Sequence, residues 1–118
     1  LAVYGIDYQS DWTNFVPDVE QAPDDLQSML CVHQSTAPFT ESANPDCSVQ
    51  DLKEDVDTPL DVILTGHVHT RSECRTDSIQ AFAGGSTAHL GESQDSLTPS
   101  VELISATNGG LHVNRKYL

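Results

Sequence analysis

The stretch "DVILTGHVHT", residues 61–70, runs three branched apolar side chains, Val62, Ile63 and Leu64, into Gly66 and then into two histidines one residue apart. A short continuous apolar run between polar flanks reads as a strand buried on both faces, as in a parallel sheet covered by other layers. Upstream, "SMLCVHQ" (28–34) repeats the pattern, an apolar run with His33 at its end. Open α/β sheets gather their chemistry at the carboxyl ends of their strands, so two such strands lying side by side would bring His33 and His67 together. His67 and His69 share a face if the extended chain continues, and diverge onto two nearby sites if it bends after Gly66. Gly66 permits the bend, or a close approach that a side chain would block.

Working outward, "LAVYGIDY" (1–8) reads as a further strand, followed by a short polar or helical stretch at Trp12–Val16. The acidic, proline-bearing "PDVEQAPDD" (17–25) reads as a solvated loop with a short helix at Asp18–Gln21. "STAPFTESANPDCS" (35–48) has loop chemistry, and a helix is expected at Val49–Asp55 with Ser48 as its N-cap. After the histidines a polar turn leads to "SIQAFAGGSTA" (78–88). "SVELISAT" and "LHVNRKYL" alternate at period two across Asn108-Gly109-Gly110, a β-hairpin signal. The sum is a strand-rich α/β (α+β) chain without internal repeats.

The chain carries 18 acidic residues against 5 basic ones, a net charge of -13, with Lys53 and Lys116 its only lysines. The acids are spread along the chain and 37% of residues are hydrophobic, which argues for a folded core rather than an acidic tail. Many Asp, Thr and Ser with almost no Lys fit adaptation to high salt; an acidic mesophilic protein is the plainer alternative. In dilute buffer such a surface repels nucleic acid and anionic membranes. At an ionic strength of about 1 M the Debye length is only about 3 Å and that repulsion nearly vanishes, so DNA stays open as a ligand. No run approaches the roughly 18 apolar residues of a membrane span, and "LAVYGIDYQS" lacks the features of a secretory signal. Cys31, Cys47 and Cys74 are odd in number with no C-x-x-C pair, which fits a reducing, cytoplasmic setting; Cys31, inside an apolar run, reads as a small core residue.

A lone histidine at a strand end is most often a hydrogen-bonded rim residue, and a bare H-x-H arises often by chance. The combination is harder to explain as packing, and imidazole suits Mn, Fe, Zn and Ni. His33, His67 and His69 are therefore the expected metal ligands. Arg71, with Arg75, and His89 are candidates to contact substrate, against the plainer readings of an ion pair with a nearby acid and an exposed loop histidine. "AGGST" lacks the Gly-Lys-Ser/Thr of a phosphate loop, so its glycines read as a turn. His112 reads as a surface position on the hairpin, and Trp12, Phe15 and Phe39 as core or loop packing.

"LCVHQ" and "DVILTGHVH" resemble two motifs of the calcineurin-like metallophosphoesterases, the strand that supplies a single metal-binding histidine and the closing Gly-His-x-His motif. The order of His-Gln, Gly-His-Val-His and the Gly-Ser turn in "AGGST" is most similar to the SbcD-like DNA repair nucleases, and "LAVYGIDY" looks like the strand after that family's Gly-Asn-His-Asp motif. The resemblance implies two divalent metal ions, with His33 and His67 on one and His69 on the other. It also implies half of a two-sheet sandwich, and metal-dependent hydrolysis of a phosphoester, DNA phosphodiester before small phosphoesters. Manganese is the first expectation among metals, and an ATPase partner follows if the SbcD likeness holds. The family's Asp-x-His, Gly-Asp-x-x-Asp and Gly-Asn-His-Asp/Glu motifs are not among these residues. Residues 1–118 are thus expected to be the carboxyl-terminal part of one catalytic domain, inactive alone and prone to form a homodimer through apolar surface. The competing expectation is a non-catalytic interaction domain of the same fold. Because histidine must be neutral to coordinate, activity should fall in acid.

Overall fold

The computed structural model describes residues 1–76, 79–88 and 98–118. Its centre is a five-stranded sheet built from β1 (Ala2–Ile6), β2 (Ser28–Val32), β5 (Val62–Thr65), β6 (Ser72–Thr76) and β7 (Ile79–Ala83), in the order β1-β2-β5-β7-β6. The first four are mutually parallel, and β6 pairs antiparallel to β7 at the edge. Thus the two histidine-bearing runs are neighbours, with Leu30 opposite Ile63 and Val32 opposite Thr65.

Register sorts the side chains onto two faces. Tyr4, Leu30, Ile63 and Ala81 lie in one row, and Gly5, Cys31, Leu64 and Phe82 in the next, on the opposite face. The first face is the core: Leu30, Val32, Ile63, Ile79 and Ala81 pack with Trp12, Phe39, Val49, Leu52, Val56 and Leu60. Leu30, Leu52 and Ile63 are fully buried, and each such side chain contributes about 1.5–3 kcal/mol over exposure.

The core is closed by α1 (Val49–Asp55). Ser48 caps it, its hydroxyl accepting from Asp51 N–H at 3.0 Å while the Asp51 carboxylate accepts from Ser48 N–H at 2.7 Å. Val49, Leu52 and Val56, at helical spacing, form the buried stripe. The helix stops where Val56 turns extended, ahead of Pro59. The stretch from 35 to 48 is mostly loop, but Thr36–Ala37 (β3) and Cys47–Ser48 (β4) form a short parallel pair within it.

Trp12–Asn14 forms a single 3-10 turn, capped by Asp11. The helix expected at Asp18–Gln21 is absent. Five residues between Pro17 and Pro23 supply too few hydrogen bonds to offset nucleation.

The last two strands, β8 (Ser100–Thr107) and β9 (Gly110–Tyr117), form a separate hairpin across a two-residue loop at Asn108-Gly109. Gly110 takes φ +115° there, a backbone few other residues accept. Ser100 N–H donates to Ser86 O at 3.2 Å at one end, and Gln27 Nε2 donates to Thr107 O at 2.9 Å at the other. The hairpin therefore lies along the sheet's second face, between the carboxyl and amino ends of the central strands. Its cover is incomplete: Val3 stays exposed, and Cys31, expected in the core, is only half-buried. No helix among the described residues is long and apolar enough to cross a membrane.

Candidate functional site

At the carboxyl end of the sheet, β2 ends at Val32 and β5 at Thr65, and Gly66 N–H donates to Val32 O at 2.8 Å, extending the pairing by one residue. That bond seats Gly66 directly beneath His33. A Cβ built on Gly66 would lie 2.7 Å from His33 Nδ1, so glycine here is required by the ring and not by its own φ.

The next residue carries the bend. His67 has φ +73°, a left-handed conformation that costs a non-glycine residue about 1–2 kcal/mol. The strand does not continue, and its ring turns back toward His33: the centroids are 5.5 Å apart at an interplanar angle of 86°. On its other side His67 stacks on Tyr8, with centroids at 6.3 Å and 12° between planes. The strained backbone at His67 is thus accompanied by ring contacts on two sides.

Gln34, next to His33, is fully buried, and its role is mechanical. Its Oε1 accepts from Gln9 N–H at 3.0 Å, and its Nε2 donates to Gln9 O at 2.9 Å. This two-way clasp ties the segment Asp7-Tyr8-Gln9 to the loop after β2, which places Tyr8 on His67. Asp7 and His33 line the same cavity of about 670 Å³, with Ile6, Cys31, Leu64 and Val101 as its apolar wall. Sequence reasoning missed Asp7, Tyr8 and Gln34; the His-Gln pair was visible, but no local signal says what the amide holds.

With metal–nitrogen bonds of about 2.0–2.1 Å, two imidazoles on one ion at roughly tetrahedral angles have centroids about 5 Å apart, close to the separation found. His69 is not part of this pair. It lines a different cavity, of about 240 Å³, with Arg71, Ser86, Ser100 and Arg115. Among the described residues no three His, Cys, Asp or Glu side chains gather in an ion-binding cluster. What the chain brings together is thus a pair of imidazoles, His33 and His67, with His33 and Asp7 on the wall of one cavity.

Arg71 takes the ion-pair role. Its Nε donates to Glu102 Oε1 at 3.1 Å and its Nη2 to Glu73 Oε2 at 2.6 Å. His89 lies outside the described residues. His112 is exposed on β9, 3.1 Å from the Thr107 hydroxyl, and Trp12 and Phe39 are buried in the core. No protein-family model matches the chain, and none of the curated proteins it was compared with is significantly similar to it.

Proposed function

We propose that this chain supplies one half of the ion-binding site of a metal-dependent phosphoester hydrolase, acting in the intact protein on DNA phosphodiester bonds in high salt. The observation that carries the reading is the convergence of His33 and His67 from the ends of adjacent parallel strands, with Gly66 making room for one ring and a left-handed backbone aiming the other.

A divalent ion at such a site polarises the phosphoryl oxygens and lowers the pKa of bound water toward neutrality. The chain's own part is to hold and orient. His33 and His67 give nitrogen donors, Tyr8 stacks on the His67 ring, and Gln34 ties down the segment Asp7-Tyr8-Gln9 that carries Tyr8. Manganese is the proposed ion, with Fe, Zn or Ni as alternatives of the same donor chemistry. His69, displaced from the pair, is proposed to serve a second ion in the intact protein.

The test is phosphodiesterase turnover of the intact protein with Mn²⁺ in concentrated KCl, on a single-stranded oligonucleotide and on a small chromogenic phosphodiester. Cleavage of the oligonucleotide that is lost in His67→Ala is expected; cleavage of the small diester alone would move the substrate to small phosphoesters. Near-wild-type turnover in His67→Ala would remove the ligand assignment.

A further inference from the structure

Three arginines are all this chain has, and two of them meet at one place away from the histidine pair. Arg71, just before β6, and Arg115, on β9, both line the 240 Å³ cavity, together with His69, Thr70, Ser86 and Thr98. In a molecule of net charge -13, this pocket gathers two of the five basic residues beside several hydroxyls.

Both arginines are held by one carboxylate. Glu102 Oε1 lies 3.1 Å from Arg71 Nε and 3.6 Å from Arg115 Nε, and its side chain is only 6% exposed, against 28% and 23% for the arginines. One buried carboxylate cannot neutralise two guanidiniums, so the trio keeps a charge of +1. Glu73, 52% exposed, pairs with Arg71 Nη2 at 2.6 Å from the solvent side and offsets that charge, less than a buried carboxylate would because water screens it. Glu102 accepts from Arg71 Nε and faces Arg115 Nε at ion-pair distance without a hydrogen bond, while Glu73 takes Arg71 Nη2, so Arg71 Nη1 and Arg115 Nη2 are the terminal nitrogens left for a ligand. On Arg115, Nη1 donates to the Tyr117 hydroxyl at 3.0 Å, and the guanidinium lies 5.4 Å from that ring's centroid, which fixes its plane.

The opposite wall is backbone brought close. Gly85 has φ +75°, and a Cβ there would sit 3.0 Å from both the Cβ and the N of Arg71, so no side chain fits between the Gly84-Gly85 turn and the arginine. Ser86 N–H donates to His69 O at 3.0 Å, which ties this turn to the histidine segment. The volume suits a tetrahedral oxyanion with a few waters, each filling about 30 Å³, and is small for a whole nucleoside. Guanidinium is the group that binds such an anion through two parallel N–H donors.

We propose that the Arg71–Arg115 pocket binds one phosphoryl group, either a phosphate of a nucleic-acid backbone or that of a small phosphomonoester. It deepens the phosphoesterase reading by adding a second phosphate contact beside His69, but it needs no metal ion.

The experiment is a ³¹P NMR titration of inorganic phosphate against the folded chain in chelator-containing, metal-free KCl buffer. Saturable binding in the millimolar range is expected. Arg115→Gln should weaken it on the order of tenfold or more, the loss of a charge-assisted contact, while Arg75→Gln, at an exposed position on β6 that does not line the pocket, should leave it unchanged. If Arg115→Gln fails to fold, Arg115→Lys keeps the charge and stem and should still weaken binding several-fold by losing the fork. Displacement by a short single-stranded oligonucleotide assigns the phosphate to a backbone, and displacement only by a phosphomonoester assigns it to a small ester. No saturation up to tens of millimolar phosphate, or equal affinity in Arg115→Gln and Arg75→Gln, overturns the proposal. Because metal is excluded, either result is independent of whether His33 and His67 hold an ion.

Discussion

His67 gives the sharpest test at the scale of single residues, because its backbone and its side chain make opposite demands. Replacing it with glycine removes the left-handed strain, whereas alanine keeps the strain and loses the ring. His67→Gly should be at least as stable as the parent and His67→Ala less stable by about 1 kcal/mol relative to it, with both losing metal binding; urea unfolding checks the order, and a glycine variant less stable than the alanine one contradicts it. Gly66→Ala should displace the His33 ring and weaken metal affinity about tenfold or more while the fold survives, read by calorimetry with Zn²⁺. Cys47 offers a pH effect: burial pushes its thiol up to about 11, aided by Asp51, Asp46 and Asp55 and opposed by the hydrogen bond with Thr36. A raised value means the folded chain favours the protonated thiol, so this contribution is complete below the ordinary thiol range and is lost as pH rises through about 11. Stability should therefore drop between about pH 8 and pH 10.5 by less in Cys47→Ala than in the parent. Of these residues only the histidines and Gly66 stood out in the sequence; the need for Gly66 was legible, but the ring it accommodates comes from the end of another strand, 33 residues away (66 minus 33).

The secondary elements were the most legible scale. The helix at Val49–Asp55 and its Ser48 cap follow from a local rule, a hydroxyl three residues before an acid at the head of an apolar stripe. Ser48→Ala should cost about 1 kcal/mol, and Leu52→Ala, on the fully buried side of the same helix, about 2–5 kcal/mol; equal costs in denaturant unfolding would contradict the division of labour between cap and core. The apolar runs of β2 and β5 and the alternation of β8 and β9 were equally plain, because each strand's burial is written in its own residues. What was not legible depends on partners distant in sequence. The β3–β4 pair joins Thr36 to Cys47 across a loop of turn residues, and Gln34 acts through Gln9, 25 positions away. Cys31 looked like core from its neighbours, yet it sits on the face that the hairpin only partly covers.

For the whole molecule, charge and sheet order set the terms. Eighteen carboxylates on 118 residues repel one another across distances of about 10 Å in dilute buffer and about 3 Å at molar salt. Raising KCl from about 0.1 to 2 M should lift the thermal midpoint by about 5 °C or more, and a flat or falling midpoint would count against salt adaptation. The sheet order β1-β2-β5-β7-β6 is what turns two separate strand-end histidines into a pair, and the proposed metal site depends on that pair. The most direct test is proton NMR of the histidine rings during addition of Mn²⁺. The ring signals of His33 and His67 should broaden together at the lowest metal concentrations, well before that of exposed His112. Broadening of His112 in step with them, or of one member of the pair without the other, would contradict a shared ion site.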